Sequence, residues 1–181
     1  MIYLIGGVSK SGKTYISRKV MEELNIPFFS TDFLLWSLGG ENGIFSYYDS
    51  TEIVSPILEE YILKIISFLN ENNQDYVIEG THITSSLYNK VKTLYSDNVK
   101  VIFLGYTNTT SKSKYDEIIK YEDENSNKWY KHISIKEFIS FLDKQIEESK
   151  QLKTTLDSNL YYDVNNIEEE YKTIINKLIG M

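Results

Sequence analysis

Eight consecutive residues, Gly7-Val8-Ser9-Lys10-Ser11-Gly12-Lys13-Thr14, carry the types and spacing needed to hold a polyphosphate. Backbone N–H groups of a glycine-rich turn can surround a phosphate at a helix N-terminus, where unpaired donors and the helix dipole favour an anion. Gly7 and Gly12 permit the close approach, Lys13 is placed to reach the β- and γ-phosphates, and the Thr14 hydroxyl is placed to hold Mg²⁺. The order of elements supports this chemistry. Ile2-Tyr3-Leu4-Ile5 reads as a short buried strand, and Ile16, Val20 and Leu24 fall on one face of a following helix.

A phosphate loop binds a nucleotide without choosing between hydrolysis, switching and transfer, so acids at other strand ends must decide. Asp32 follows a second strand in Ser30-Thr31-Asp32-Phe33. In parallel α/β sheets the carboxyl ends of strands face the ligand crevice, and a carboxylate there can accept the proton of an attacking hydroxyl. The competing role for Asp32 is to cap a turn with its side chain. Glu79 ends an apolar run in Tyr76-Val77-Ile78-Glu79-Gly80-Thr81-His82, a Walker-B-like position suited to orienting Mg²⁺ or contacting the acceptor. Its competing role is to mark the strand's exit into solvent. His82 and Trp36 are further acceptor-side candidates, each with a structural alternative in the loop or in a short packed helix.

Charge is scarce where phosphoryl transfer needs it. Arg18 is the single arginine of the chain, one turn beyond Thr14, where it reads as a surface residue. Lysines must supply the remaining positive charge around the transferred group: Lys10, Lys112, Lys114, and above all Lys128 and Lys131, which flank Trp129-Tyr130. The 122–132 segment is expected to act as a lid, and 31–50, with Gly39, Gly40 and Gly43, as an acceptor-binding insertion.

The elements that must position these groups alternate. Pro27–Ser30, Tyr76–Glu79, Val99–Leu104 and Leu160–Tyr162 suit strands, with helical periodicity between them, which predicts a parallel sheet. A helix is expected over about 52–71, a Ser134/Glu137 capping box opens another, and Asn165 with Glu168 starts a last one. With 181 residues and 41% hydrophobic content the chain suits one domain, 1–181. The absence of cysteine excludes disulfides and thiolate chemistry. A net charge of −7 argues against an extended nucleic-acid groove. No apolar run suits a membrane span and the first strand leaves no room for a leader, so a cytoplasmic location is expected.

With the loop, Ser30-Thr31-Asp32 and Val77-Ile78-Glu79-Gly80-Thr81-His82 in this order, the chain resembles small-molecule kinases of the P-loop superfamily. Its pattern is similar to the uridine kinase, phosphoribulokinase and 2-phosphoglycerate kinase-like groups. The resemblance implies a three-layer α/β fold of nucleoside monophosphate kinase type, with a five-stranded parallel sheet in the order 2-3-1-4-5. It implies ATP and Mg²⁺ as donor and cofactor, transfer of the γ-phosphoryl group to a hydroxyl or phosphate of a small-molecule acceptor, and Lys13, Asp32 and Glu79 as the catalytic set. These families carry arginines in the lid and on the acceptor side, and this chain has none there. The alternative is a nucleotide-dependent switch without an acceptor, although the Asn-Lys-x-Asp base motif of guanine switches is absent.

Overall fold

The computed structural model describes residues 1–47, 49–95, 97–121 and 129–180, the side chain of Trp129 excepted. Five strands form one parallel sheet: β1 (Ile2–Gly7), β2 (Phe28–Ser30), β3 (Tyr76–Glu79), β4 (Val99–Gly105) and β5 (Tyr161–Asp163), ordered β2-β3-β1-β4-β5 as expected. Around it lie α1 (Lys13–Leu24), α2 (Thr31–Leu38), α3 (Thr51–Glu71), α4 (Ser85–Tyr95), α5 (Ser111–Lys120), α6 (Ile135–Thr155) and α7 (Ile167–Gly180).

Alternate residues of each central strand serve opposite faces. Tyr3, Ile5, Val77, Ile102 and Leu104 pack against Ile16 and Val20 of α1 and Ile174, Ile175 and Leu178 of α7. Ile2, Leu4, Ile78, Val101 and Phe103 meet Leu58, Ile62 and Ile66 of α3 and Leu87 and Val91 of α4. Both faces are therefore dry, which is why these strands read as continuous apolar runs. A satellite cluster joins α5 to α6, with Tyr130 stacked on Phe138 at 4.6 Å between ring centroids. No helix among the described residues is long and apolar enough to cross a membrane.

Some boundaries move. β1 runs on to Gly7, two residues past the expected end, because the start of the phosphate loop keeps its pairing with β4. β5 begins at Tyr161 and ends at Asp163, one residue later than expected at each end. Asn166, not Asn165, caps α7, its Oδ1 accepting the Glu168 amide at 3.1 Å. Asn165 reaches forward to the Glu170 carboxylate instead, through its own amide at 3.0 Å. The Ser134/Glu137 box at the head of α6 is reciprocal, as its sequence implies. The 31–50 segment opens with α2, capped by the Ser30 hydroxyl on the Asp32 amide at 3.3 Å.

Candidate nucleotide and acceptor site

Strand register brings the candidate residues together. Ser30 of β2 and Ile5 of β1 both lie opposite Glu79 of β3, so the ends of three neighbouring strands converge on one carboxylate. Gly7 turns the chain out of β1 at a φ of 117°, and an added Cβ there would stand 2.0 Å from the Leu104 carbonyl oxygen. Lys10 and Gly12 also take positive φ, 61° and 90°, and this curled backbone leads directly into α1. The turn is braced from within: the Val8 carbonyl accepts from Ser11 Oγ at 2.8 Å and from Lys13 Nζ at 2.6 Å. The loop backbone thus curls at a helix start, the kind of turn that fits a polyphosphate.

Lys13 is almost wholly buried, and burial lowers its pKa to about 8, although the charges of Glu79 and Asp32 pull upward and Lys10 adds to the lowering. Glu79 is also buried, and desolvation raises its pKa against the opposing pull of Ser30, Lys13 and Thr14. Thr14 Oγ1 donates to Glu79 Oε1 at 3.1 Å. A hydroxyl and a carboxylate oxygen side by side at the phosphate loop form a donor set that fits Mg²⁺, a hard cation that takes few protein ligands and shares phosphate oxygens.

Asp32 sits at the second position of α2 and lines the same cleft. Its charge acts on Lys13, Glu79 and His82. Its backbone amide receives the Ser30 cap, so Asp32 is the capped residue here and its carboxylate is not the cap. Gly80 explains the tight join between the ends of β2 and β3. It has a φ of 153°, and the Thr31 side chain occupies the space its Cβ would need, 1.7 Å away. His82 is buried, with Nδ1 2.9 Å from Ser55 Oγ of α3, and desolvation lowers its pKa, keeping the ring neutral at pH 7.

Together these groups border a cleft of about 1640 Å³. It contains every residue of the sequence-identified loop except Ser11, whose hydroxyl is turned onto Val8, together with Asp32, Trp36, Glu79 and His82. Trp36 rests on Tyr47 with ring centroids 4.8 Å apart. Arg18 is exposed, as expected, yet also borders the cleft. Lys112 pairs with Asp116 on the surface of α5, and Lys114 is buried against Glu117 and the face of Tyr106. Lys131 is exposed on a 3-10 turn over Trp129–His132 and does not border the cleft. Lys128 lies outside the described residues, as does most of the 122–132 segment. Lys10 Nζ stands over the Tyr130 ring, 4.7 Å from its centroid, which ties the end of that segment to the phosphate loop.

Sequence reasoning missed α6 as part of the site. Gln145 Oε1 accepts the Ser9 amide at 2.7 Å, its Nε2 donates to Glu148 at 2.9 Å, and Tyr106 donates to the Ser9 carbonyl at 2.9 Å. The available signal was polar: Gln145 and Ser149 fall on the inward face that Phe138, Leu142 and Ile146 define, and both are buried.

The five-stranded parallel sheet in the order 2-3-1-4-5, with helices on both sides, is a fold shared with solved structures of small-molecule kinases. A shikimate kinase from Bacteroides thetaiotaomicron is similar over 100% of this chain and 99% of its own, with a TM-score of 0.62 and 14% identity. A gluconokinase from Sinorhizobium meliloti is similar over 99% of this chain and 91% of its own, with a TM-score of 0.62 and 14% identity. A sugar kinase from a Janibacter species covers 99% of this chain and 94% of its own, with a TM-score of 0.63 and 14% identity. At such identity the likeness is one of fold. No protein-family model matches the sequence, and no curated protein matches it.

Proposed function

We propose that the protein is an ATP-dependent kinase that moves the γ-phosphoryl group to a hydroxyl of a small metabolite. The observation that carries this reading is the convergence of Lys13, Thr14, Asp32 and Glu79 on one cleft at the carboxyl ends of β1, β2 and β3. The named activities of the fold neighbours, on shikimate, gluconate and sugars, lend it weight.

In the proposed reaction the acceptor oxygen bonds to the γ-phosphorus while the bond from that phosphorus to the β–γ bridging oxygen breaks, leaving ADP. Asp32 takes the proton of the acceptor hydroxyl. Lys13 and the loop amides hold the β- and γ-phosphate oxygens and stabilise the charge that spreads over them. Thr14 and Glu79 would hold Mg²⁺, which when bound would supply Lewis-acid neutralisation of phosphate charge. The 31–50 segment provides the acceptor wall, and 122–132, with Lys128 and Lys131, serves as the lid. The domain is one unit over 1–181.

The test is thermal stability with ATP or a non-hydrolysable analogue and Mg²⁺. A nucleotide site raises the melting temperature, by about 2.7 kcal/mol of stabilisation at a ligand concentration one hundred times Kd. No rise with either nucleotide contradicts the reading.

A further inference from the structure

The cleft is lined by more carboxylates than cations. Among the described residues that border it, the cations are Lys10, Lys13 and Arg18, two of them in the phosphate loop. Seven carboxylates of described residues line the same cleft, among them Asp32 on α2, Asp49 before α3, Glu52 in the first turn of α3, and Glu148 on α6. Glu148 and Glu52 interact across the opening; burial first and then the Glu52 charge raise the Glu148 pKa. An acceptor bearing a phosphate or carboxylate would enter a lining in which carboxylates outnumber cations, with Arg18 the one described cation outside the phosphate loop to meet it.

The cleft also holds an exposed aromatic pair. Trp36 is 62% exposed and Tyr47 45%, yet their rings are held in contact, and the Tyr47 hydroxyl donates to the Trp36 carbonyl at 3.0 Å. Two exposed aromatic faces, tilted 47° to each other and lining the cleft with the Thr51 and Thr81 hydroxyls, suit a ring that stacks on one of them and hydrogen-bonds at its edge.

We propose that the acceptor is a hydroxylated ring compound without an anionic group, seated on Trp36 and Tyr47 with its polar edge toward Asp49 and Glu52. A nucleoside and an amino sugar share this chemistry. The inference rests on the kinase reading: the ring's hydroxyl oxygen forms the new bond to phosphorus, its proton passes to Asp32, and ATP leaves as ADP.

The experiment uses the full chain with a non-hydrolysable ATP analogue and Mg²⁺, read by thermal shift, then with matched ligands added. One arm sets adenosine and cytidine against their 5′-monophosphates; the other sets glucosamine against gluconate and glucuronate. The expected result is a further rise with one uncharged or cationic set, and at least tenfold weaker binding of its anionic counterparts. Trp36→Ala should abolish that further rise while keeping the rise due to nucleotide, which shows that the variant is folded. Glu52→Lys should narrow the preference against anions at least tenfold. Stronger stabilisation by a phosphorylated or carboxylated member, or no rise with any uncharged or cationic member, overturns the proposal. Loss of the nucleotide rise itself in the unmodified protein would instead overturn the kinase reading.

Discussion

The Thr14 hydroxyl donates to Glu79 Oε1 at 3.1 Å, joining the first turn of α1 to the end of β3 across 65 positions of sequence. In the proposed reaction these two side chains would hold Mg²⁺. Glu79→Gln should therefore weaken Mg²⁺ affinity by about 10–100-fold, the range seen when groups that orient or support a bound metal are altered. Nucleotide affinity measured calorimetrically in EDTA should stay unchanged. Equal loss with and without metal would assign Glu79 to the nucleotide instead.

Lys13 should make stability depend on pH in a definite direction. Its pKa in the folded protein is lowered by burial to about 8, from an ordinary value of 10.5. Below about 8 it is charged in both states and the burial penalty is fully present. Between about 8 and 10.5 the folded protein sheds the proton while the unfolded chain keeps it, so stability from this group rises with pH. Lys13→Met should raise the melting temperature of the nucleotide-free protein at pH 7, by about 2–4 °C for each kcal/mol relieved. The Val8 carbonyl keeps its Ser11 partner in that variant. The same substitution should remove stabilisation by ATP. Thermal melts from pH 7 to 10, with and without nucleotide, check both effects.

Gln145 supplies an independent probe of where the phosphates lie. Its Oε1 is bonded to the Ser9 amide of the loop. Gln145→Glu is nearly isosteric and adds a negative charge beside that amide. If the loop holds the phosphates of ATP, nucleotide affinity should fall roughly tenfold or more, since like charges brought together cost several kcal/mol. Binding titrations at low and high salt should show the loss shrinking as salt screens it.

Gly7→Ala tests the loop's backbone. The residue combines a φ of 117° with a Leu104 carbonyl oxygen 2.0 Å from any added Cβ. The clash is with backbone and has no soft side chain to move aside. The cost should exceed about 1 kcal/mol, read from denaturant unfolding, and nucleotide binding should be lost.

The fold and the donor half of the site were legible because both are written locally. β1, the loop and α1 are contiguous, and the apolar runs of β3 and β4 follow from burial on both faces. Glu79 could be found because it terminates such a run, and Asp32 because it follows the end of β2 by two residues. The α6 contribution was hidden for the opposite reason. The Ser9–Gln145 bond spans 136 positions, and helical periodicity identifies an inward face without saying what that face will meet. Lys112 and Lys114 were misleading as phosphate ligands, since charge in a sequence does not reveal its partner: Asp116 and Glu117 take them, four and three residues away. The acidic character of the cleft was likewise invisible until the head of α3, the end of the 31–50 segment and α6 were brought together around it.

Phosphoryl transfer itself is tested most directly by measuring ADP and inorganic phosphate together, with Mg²⁺, ATP and a panel of hydroxylated acceptors. The account predicts acceptor-dependent ADP formation without matching phosphate release. It further predicts that Asp32→Asn lowers this turnover by at least about 100-fold, the contribution of a general base, while ATP binding persists. ADP and phosphate appearing in equal amounts whatever acceptor is present, or full transfer by Asp32→Asn, would contradict it.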